Sequence, residues 1–200
     1  MFGILIVRWA VSVFYPGFSF TATLWKESLI WVCVIALLLI IRRGERLPFS
    51  SVGIGTSSLP KSILWGGITT VLCGIAGAIV ATLTHFQGGE MAAGLAKLPL
   101  WLVVLVVLRA GVAEELFYRG YIIERLQQLG LNRYCAGIIP LLVFGFAHGT
   151  NGWANIVLAL ALGAVLMIMY LWRRDLVANI IGHFLIDFIG VVLPRLFSHS

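Results

Sequence analysis

The chain holds only eight acidic residues and four histidines among 200 residues. Three of the acids, Glu114, Glu115 and Asp187, fall inside strongly apolar stretches, and so do His148 and His183. The remaining acids, Glu27, Glu45, Glu90, Glu124 and Asp175, are expected near helix ends or in loops. An ionisable side chain at membrane depth costs about 2.5–3.5 kcal/mol on insertion scales, so each such residue marks a candidate site. Glu114 and Glu115 open a run that reaches Arg119. On an α-helix, residues four apart are turned by only about 40°. Glu115 and Arg119 therefore share a face and can pair. Glu114 points about 100° away from Glu115, which leaves one acid for structure and its neighbour for chemistry. A carboxylate in a low-dielectric cavity gains basicity. The bland reading is that both glutamates only bridge helices.

The second cluster pairs Phe144 with His148, four residues on. The ring can pack beside the imidazole, and Gly145 and Ala147 permit close helix approach. The third pairs His183 with Asp187 on one helical face, so that Asp187 can orient the imidazole or accept its proton. Together the clusters supply a general base, two imidazoles and a supporting carboxylate. Such a set can activate a water and stabilise an oxyanion, and hydrolysis of a peptide bond needs both. No serine lies in GxSxG or within these clusters, so direct attack by water is favoured over an acyl-enzyme. HExxH is absent, yet Glu114, His148 and His183 remain open as zinc ligands with a vacant fourth position. No cofactor is expected, and zinc is the less favoured choice. Arg109 is unexplained: it sits five residues before Glu114 and should not stack on it. A buried acid, a substrate carboxylate, a lipid headgroup and water are all open to it as partners.

These residues must be placed by membrane helices. Hydrophobic residues make up 60% of the chain and charged residues 11%, with a mean hydropathy of +1.03. Soluble domains are about 45–50% apolar and about 25% charged. A soluble fold of this composition would expose large apolar patches. A spanning helix needs roughly 20 mainly apolar residues. Such stretches are expected at residues 24–41, 63–83, 99–121, 134–147, 153–172 and 176–197. Residues 1–20, broken at Tyr15-Pro16-Gly17, make a possible seventh. The fold class is thus an all-α, polytopic transmembrane bundle of six to seven spans, a single membrane-embedded domain over residues 1–200. The net charge of +6 reads as positive-inside topology rather than nucleic-acid binding. Arg42, Arg43, Arg46, Lys61, Arg119, Arg125, Arg133, Arg173 and Arg174 would mark the cytoplasmic side. Cys33, Cys73 and Cys135 imply neither a disulfide framework nor a CxxC metal site. No typical cleavable signal is apparent: Arg8 interrupts the first apolar stretch. In this scheme His148 lies far from Glu114 and His183, unless residues 119–133 fold back or Pro140 bends its helix.

The ordered trio of Glu114-Glu115-xxx-Arg119, Phe144-xxx-His148 and His183-xxx-Asp187 resembles the CPBP family of membrane proteins, the CAAX proteases and bacteriocin-processing (Abi) proteins. Gly120-Tyr121 and the run at residues 173–178 are similar too, and the resemblance covers residues 99–188 as a catalytic core. It implies a glutamic-type intramembrane endopeptidase. Glu114 would be the general base with His148 on the catalytic water, and His183 and Asp187 would form the oxyanion side. Glu115 and Arg119 would support Glu114. Asp187 stands where prenyl-protein members carry Asn, which favours a bacterial-type member. The expected setting is a multi-pass protein of the bacterial plasma membrane, acting on a membrane-associated peptide or protein, with the lipid bilayer as its other partner and no nucleic acid. A non-catalytic immunity or partner-binding protein and a small proton-coupled transporter are the competing readings; no paired half-helices or inverted repeat support the latter.

Overall fold

The computed structural model describes residues 19–86, 90–149 and 152–197, so the possible span at residues 1–20 lies almost wholly outside the described residues. Among these, every regular element is a helix. Ser19 caps α1 (Phe20–Leu39) by accepting the Ala22 N–H at 3.1 Å. The helix runs on through a π-helical turn at Ile40–Gly44. A short 3-10 turn, Phe49–Val52, crosses to α2 (Leu59–Thr84), which carries Pro60 in its first turn, where a missing N–H costs nothing. Next come α3 (Glu90–Ala96) and α4 (Leu100–Arg109). From α4 the chain winds without a break into a π-helical segment, Ala110–Ile123, and then α5 (Glu124–Gln128). α6 (Arg133–Phe146) is capped by Asn132, whose side chain accepts from the Tyr134 and Cys135 N–H groups. α7 (Trp153–Arg173) ends on Arg174 in the left-handed region. Asp175 then caps α8 (Leu176–Asp187) through the Ala178 N–H. A π-helical turn at Phe188–Val192 leads into α9 (Leu193–Phe197).

Among the described residues, four helices are long and apolar enough to cross a membrane: Phe20–Gly44, Leu59–Thr84, Trp153–Arg173 and Leu176–Phe197. That is fewer than the six or seven expected. α6 has only 14 residues, or about 21 Å at 1.5 Å per residue, short of a bilayer core of about 30 Å. Residues 100–128 have the length but carry Arg109, Glu114, Glu115 and Arg119 through their middle. The expected end of that span near residue 121 was too early. Helix continues to Gln128, so Arg119 is buried inside the bundle rather than marking a cytoplasmic boundary.

Glycines set the helix crossings, because without a hydrophobic drive between helices in lipid, close backbone approach must do the work. A Cβ on Gly66 would meet Ile181 at 2.6 Å, and one on Gly182 would meet Thr69 at 2.8 Å, which locks α2 to α8. On α6, Gly145 and Gly137 take Leu160 and Met167 of α7 in the same way. Gly111 of the π-helical segment faces the Ile180 carbonyl of α8. Outward, α1 and α2 expose Trp25, Val32, Ile35, Ile63, Val71 and Ile79, the apolar surface a bilayer covers.

One end of the bundle gathers the basic loops. Arg125 forks onto Glu45, with Nη2 to Oε2 at 2.6 Å, and the Tyr121 hydroxyl donates to Glu45 Oε1 at 2.8 Å. The Arg125 hydrogen bonds hold the Glu45 carboxyl below its usual range, against the opposing pull of burial. Gly53, at φ 81°, sits where a Cβ would strike the Arg174 carbonyl at 2.9 Å, and its own carbonyl accepts the Leu176 N–H at 2.9 Å. This tie anchors the start of α8, and so the depth of His183.

Candidate active site

Glu115 is the hub. It is fully buried, and its two oxygens accept three hydrogen bonds from side chains. Oε1 takes Arg119 Nη1 at 2.7 Å and His183 Nδ1 at 2.8 Å, and Oε2 takes Asn179 Nδ2 at 3.1 Å. A carboxylate accepts only, so His183 Nδ1 carries the proton. His183 Nε2 stands 3.5 Å from Asp187 Oδ2, ion-pair range but long for a hydrogen bond. Glu115 is therefore the tighter orienter of His183, a role expected of Asp187. The Asp187 side chain is one-third exposed and lies at the open side of the cluster.

Arg119 ties this hub to the second cluster. Its Nη2 donates to the Gly163 carbonyl at 3.3 Å, and its guanidinium lies 4.6 Å over the Phe144 ring. Phe144 is also edge-on to Tyr118 at 5.2 Å and to His183 at 6.4 Å. His148 packs on the same ring at 4.6 Å, and its Nδ1 is 2.7 Å from the Phe144 carbonyl oxygen. A carbonyl can only accept, so Nδ1 bears the hydrogen and the neutral ring presents Nε2 as its basic nitrogen. Phe144 thus joins the three motifs in one place.

The depth conflict disappears with the longer helix. Residues 100–128 and α6 form an antiparallel hairpin about Gly130, which takes φ 94°. Glu114 lies sixteen residues before that glycine and His148 eighteen after it, so a hairpin turning there returns the chain towards the level of Glu114.

Two expectations about charged residues were wrong. Arg109 does pair with Glu114: Nη1 reaches Oε1 at 3.2 Å. The spacing of five forbids this on an α-helix, but the backbone is π-wound from Ala110 onward, and i→i+5 bonding brings residues five apart into line. Glu27 is not near a helix end or in a loop. It is buried in α1 and grips Arg109 at 2.8 Å (Oε2 to Nε) and 3.2 Å (Oε1 to Nη2). Glu124 does stand near a helix end, at the start of α5, but it is buried and accepts from Tyr170 and Arg174. Asn179 was missed altogether. It sits four residues before His183 on the same face of an apolar helix, and that spacing was the available signal. Among the described residues, no three His, Cys, Asp or Glu side chains stand together as a metal-binding group.

Residues 96–189 match the family model described as type II CAAX prenyl endopeptidase Rce1-like. This segment is thus similar to the CPBP family of CAAX-type endopeptidases. The matched stretch contains all three motifs and nearly coincides with the core at residues 99–188. No curated protein matches the chain, and no solved structure does. The CPBP motifs account for Glu115, Arg119, Phe144 and His183 as one packed unit. Glu27, which reaches the site from α1, lies outside the matched residues.

Proposed function

We propose that the chain is an intramembrane endopeptidase that cuts a membrane-associated peptide or protein with a water activated by Glu114 and His148. The carrying observation is the convergence of the three motifs on one ring and one carboxylate. Glu115 binds Arg119 and His183, Phe144 packs against Arg119, His148 and His183, and Glu114, which pairs with Arg109, is the neighbour of Glu115 on the same buried segment. In this reading Glu114 removes a proton from water as the oxygen attacks the scissile carbonyl carbon. The oxyanion forms on the side of His183, with Asp187 serving that imidazole. The C–N bond then breaks, and the amine leaves with the proton from Glu114. The reaction takes no metal. Similarity of the matched segment to a protease family supports the reaction class. Asp187, in the place of the Asn of prenyl-protein members, favours a bacterial-type substrate, such as a leader or sorting segment.

The test places the parent protein, Glu114→Gln and His148→Ala in nanodiscs with host membrane peptides and reads new termini by mass spectrometry. Termini made by the parent should vanish with either variant, with rates down about 10²–10⁴-fold for loss of a general base. Chelators should leave the parent rate unchanged. If no termini depend on the parent, the protein is instead a non-catalytic binding or immunity factor; if parent-dependent termini persist with both folded variants, the Glu114/His148 mechanism fails.

A further inference from the structure

Arg109 and Glu27 are a buried ion pair that the three motifs do not use. Arg109 spends two donors on Glu27, Nε at 2.8 Å and Nη2 at 3.2 Å, in a fork that fixes the plane of the guanidinium. The remaining arm, Nη1, meets Glu114 Oε1 at 3.2 Å. All three residues are 6% exposed, so water does little to screen or replace these contacts. Arg109 is the last residue of α4, immediately before the π-helical segment that aligns it with Glu114. Glu27 lies 82 residues away, on α1.

We propose that Glu27 and Arg109 are positioning residues: α1 fixes the Arg109 fork, and Arg109 fixes the carboxylate of Glu114. The inference rests on the reading of Glu114 as the general base. It makes α1, outside the matched core, a working part of the site. Plain structural glue between α1 and α4 would need only the Glu27–Arg109 pair. A positioning device also needs the third arm, because a misplacement of about 1 Å at the reacting group can cost on the order of 100-fold in rate.

The charge swap Glu27→Arg with Arg109→Glu separates the two. It rebuilds an ion pair between α1 and α4 but sets a carboxylate beside Glu114. We expect the melting temperature to recover most of what either single change loses, while kcat stays at least 100-fold below the parent. Recovery of both would overturn the proposal. Glu27→Gln keeps the shape and is the second variant should the swap fail to fold. It should lower kcat about tenfold with KM within twofold, and a folded Glu27→Gln protein with parental kcat overturns the proposal. Glu114→Gln runs beside them. Cleavage surviving in that control would sink the general-base reading itself, whereas a dead control with an active swap sinks only the positioning role.

Discussion

Glu115 shows how a charge is tolerated at membrane depth. Its three donors come from the π-helical segment and α8, and each loses one acceptor, Arg119 its carboxylate counter-ion, if Glu115 is removed. A buried charge left without its counter-ion costs about 3–5 kcal/mol. Glu115→Ala should therefore destabilise the folded protein by that order, read as a drop in melting temperature in detergent. Glu115→Gln keeps two acceptor lone pairs and should lose less. An alanine variant within about 1 kcal/mol of the parent would mean that Arg119 finds another counter-ion. Arg119→Lys should not rescue the site, because a lysine ammonium cannot bond Glu115, donate to the Gly163 carbonyl and lie flat over Phe144 at once.

Between residues and the whole bundle stand two devices, the π winding of Ala110–Ile123 and the glycine contacts that seat α6 against α7. Gly163 lies under the site: a Cβ there would meet Leu141 at 2.9 Å, the Phe144 ring at 3.1 Å and Arg119 Nη2 at 3.2 Å. These are side-chain atoms that can yield, so Gly163→Ala should cost about 1–3 kcal/mol. It should also slow cleavage at least tenfold, because the ring that carries His148 must move. Gly190→Ala, with open space around it, should leave both unchanged. A Gly163→Ala protein with the parental rate would show that Phe144 does not hold the site. Which parts of this were legible follows from period. The Glu115–Arg119 and Phe144–His148 contacts lie four residues apart and could be read from helical spacing. The Arg109–Glu114 contact lies five apart and becomes visible only once the backbone is known to be π-wound. The depth of His148 failed for a different reason. Arg119 was taken as a loop marker on charge alone, although it is a core residue whose charge is met by Glu115. The Glu27 contact joins residues far apart in sequence, and no local pattern carries it.

At the scale of the whole molecule, orientation decides from which side a substrate reaches the cluster. Arg125 on Glu45, Thr56 on the Arg174 carbonyl and Arg133 on the Leu171 carbonyl knit residues 45–56, 125–133 and 171–176 into one basic end. Short loops rich in Lys and Arg stay in the cytoplasm. The opposite end of the hairpin carries His148, and Asp187 lies far along α8 from its start at the basic end. Cys135 is a native reporter for this arrangement. It is exposed at the start of α6, whereas Cys33 and Cys73 lie within the spans Phe20–Gly44 and Leu59–Thr84. A membrane-impermeant maleimide should label Cys135 in inside-out vesicles and leave it untouched in right-side-out spheroplasts, with Cys135→Ser abolishing the signal. Labelling from outside would invert the molecule and move the basic end to the outer face. The packing of Glu115, Phe144, His148 and His183 would stand, but access to it would turn towards cytoplasmic substrates.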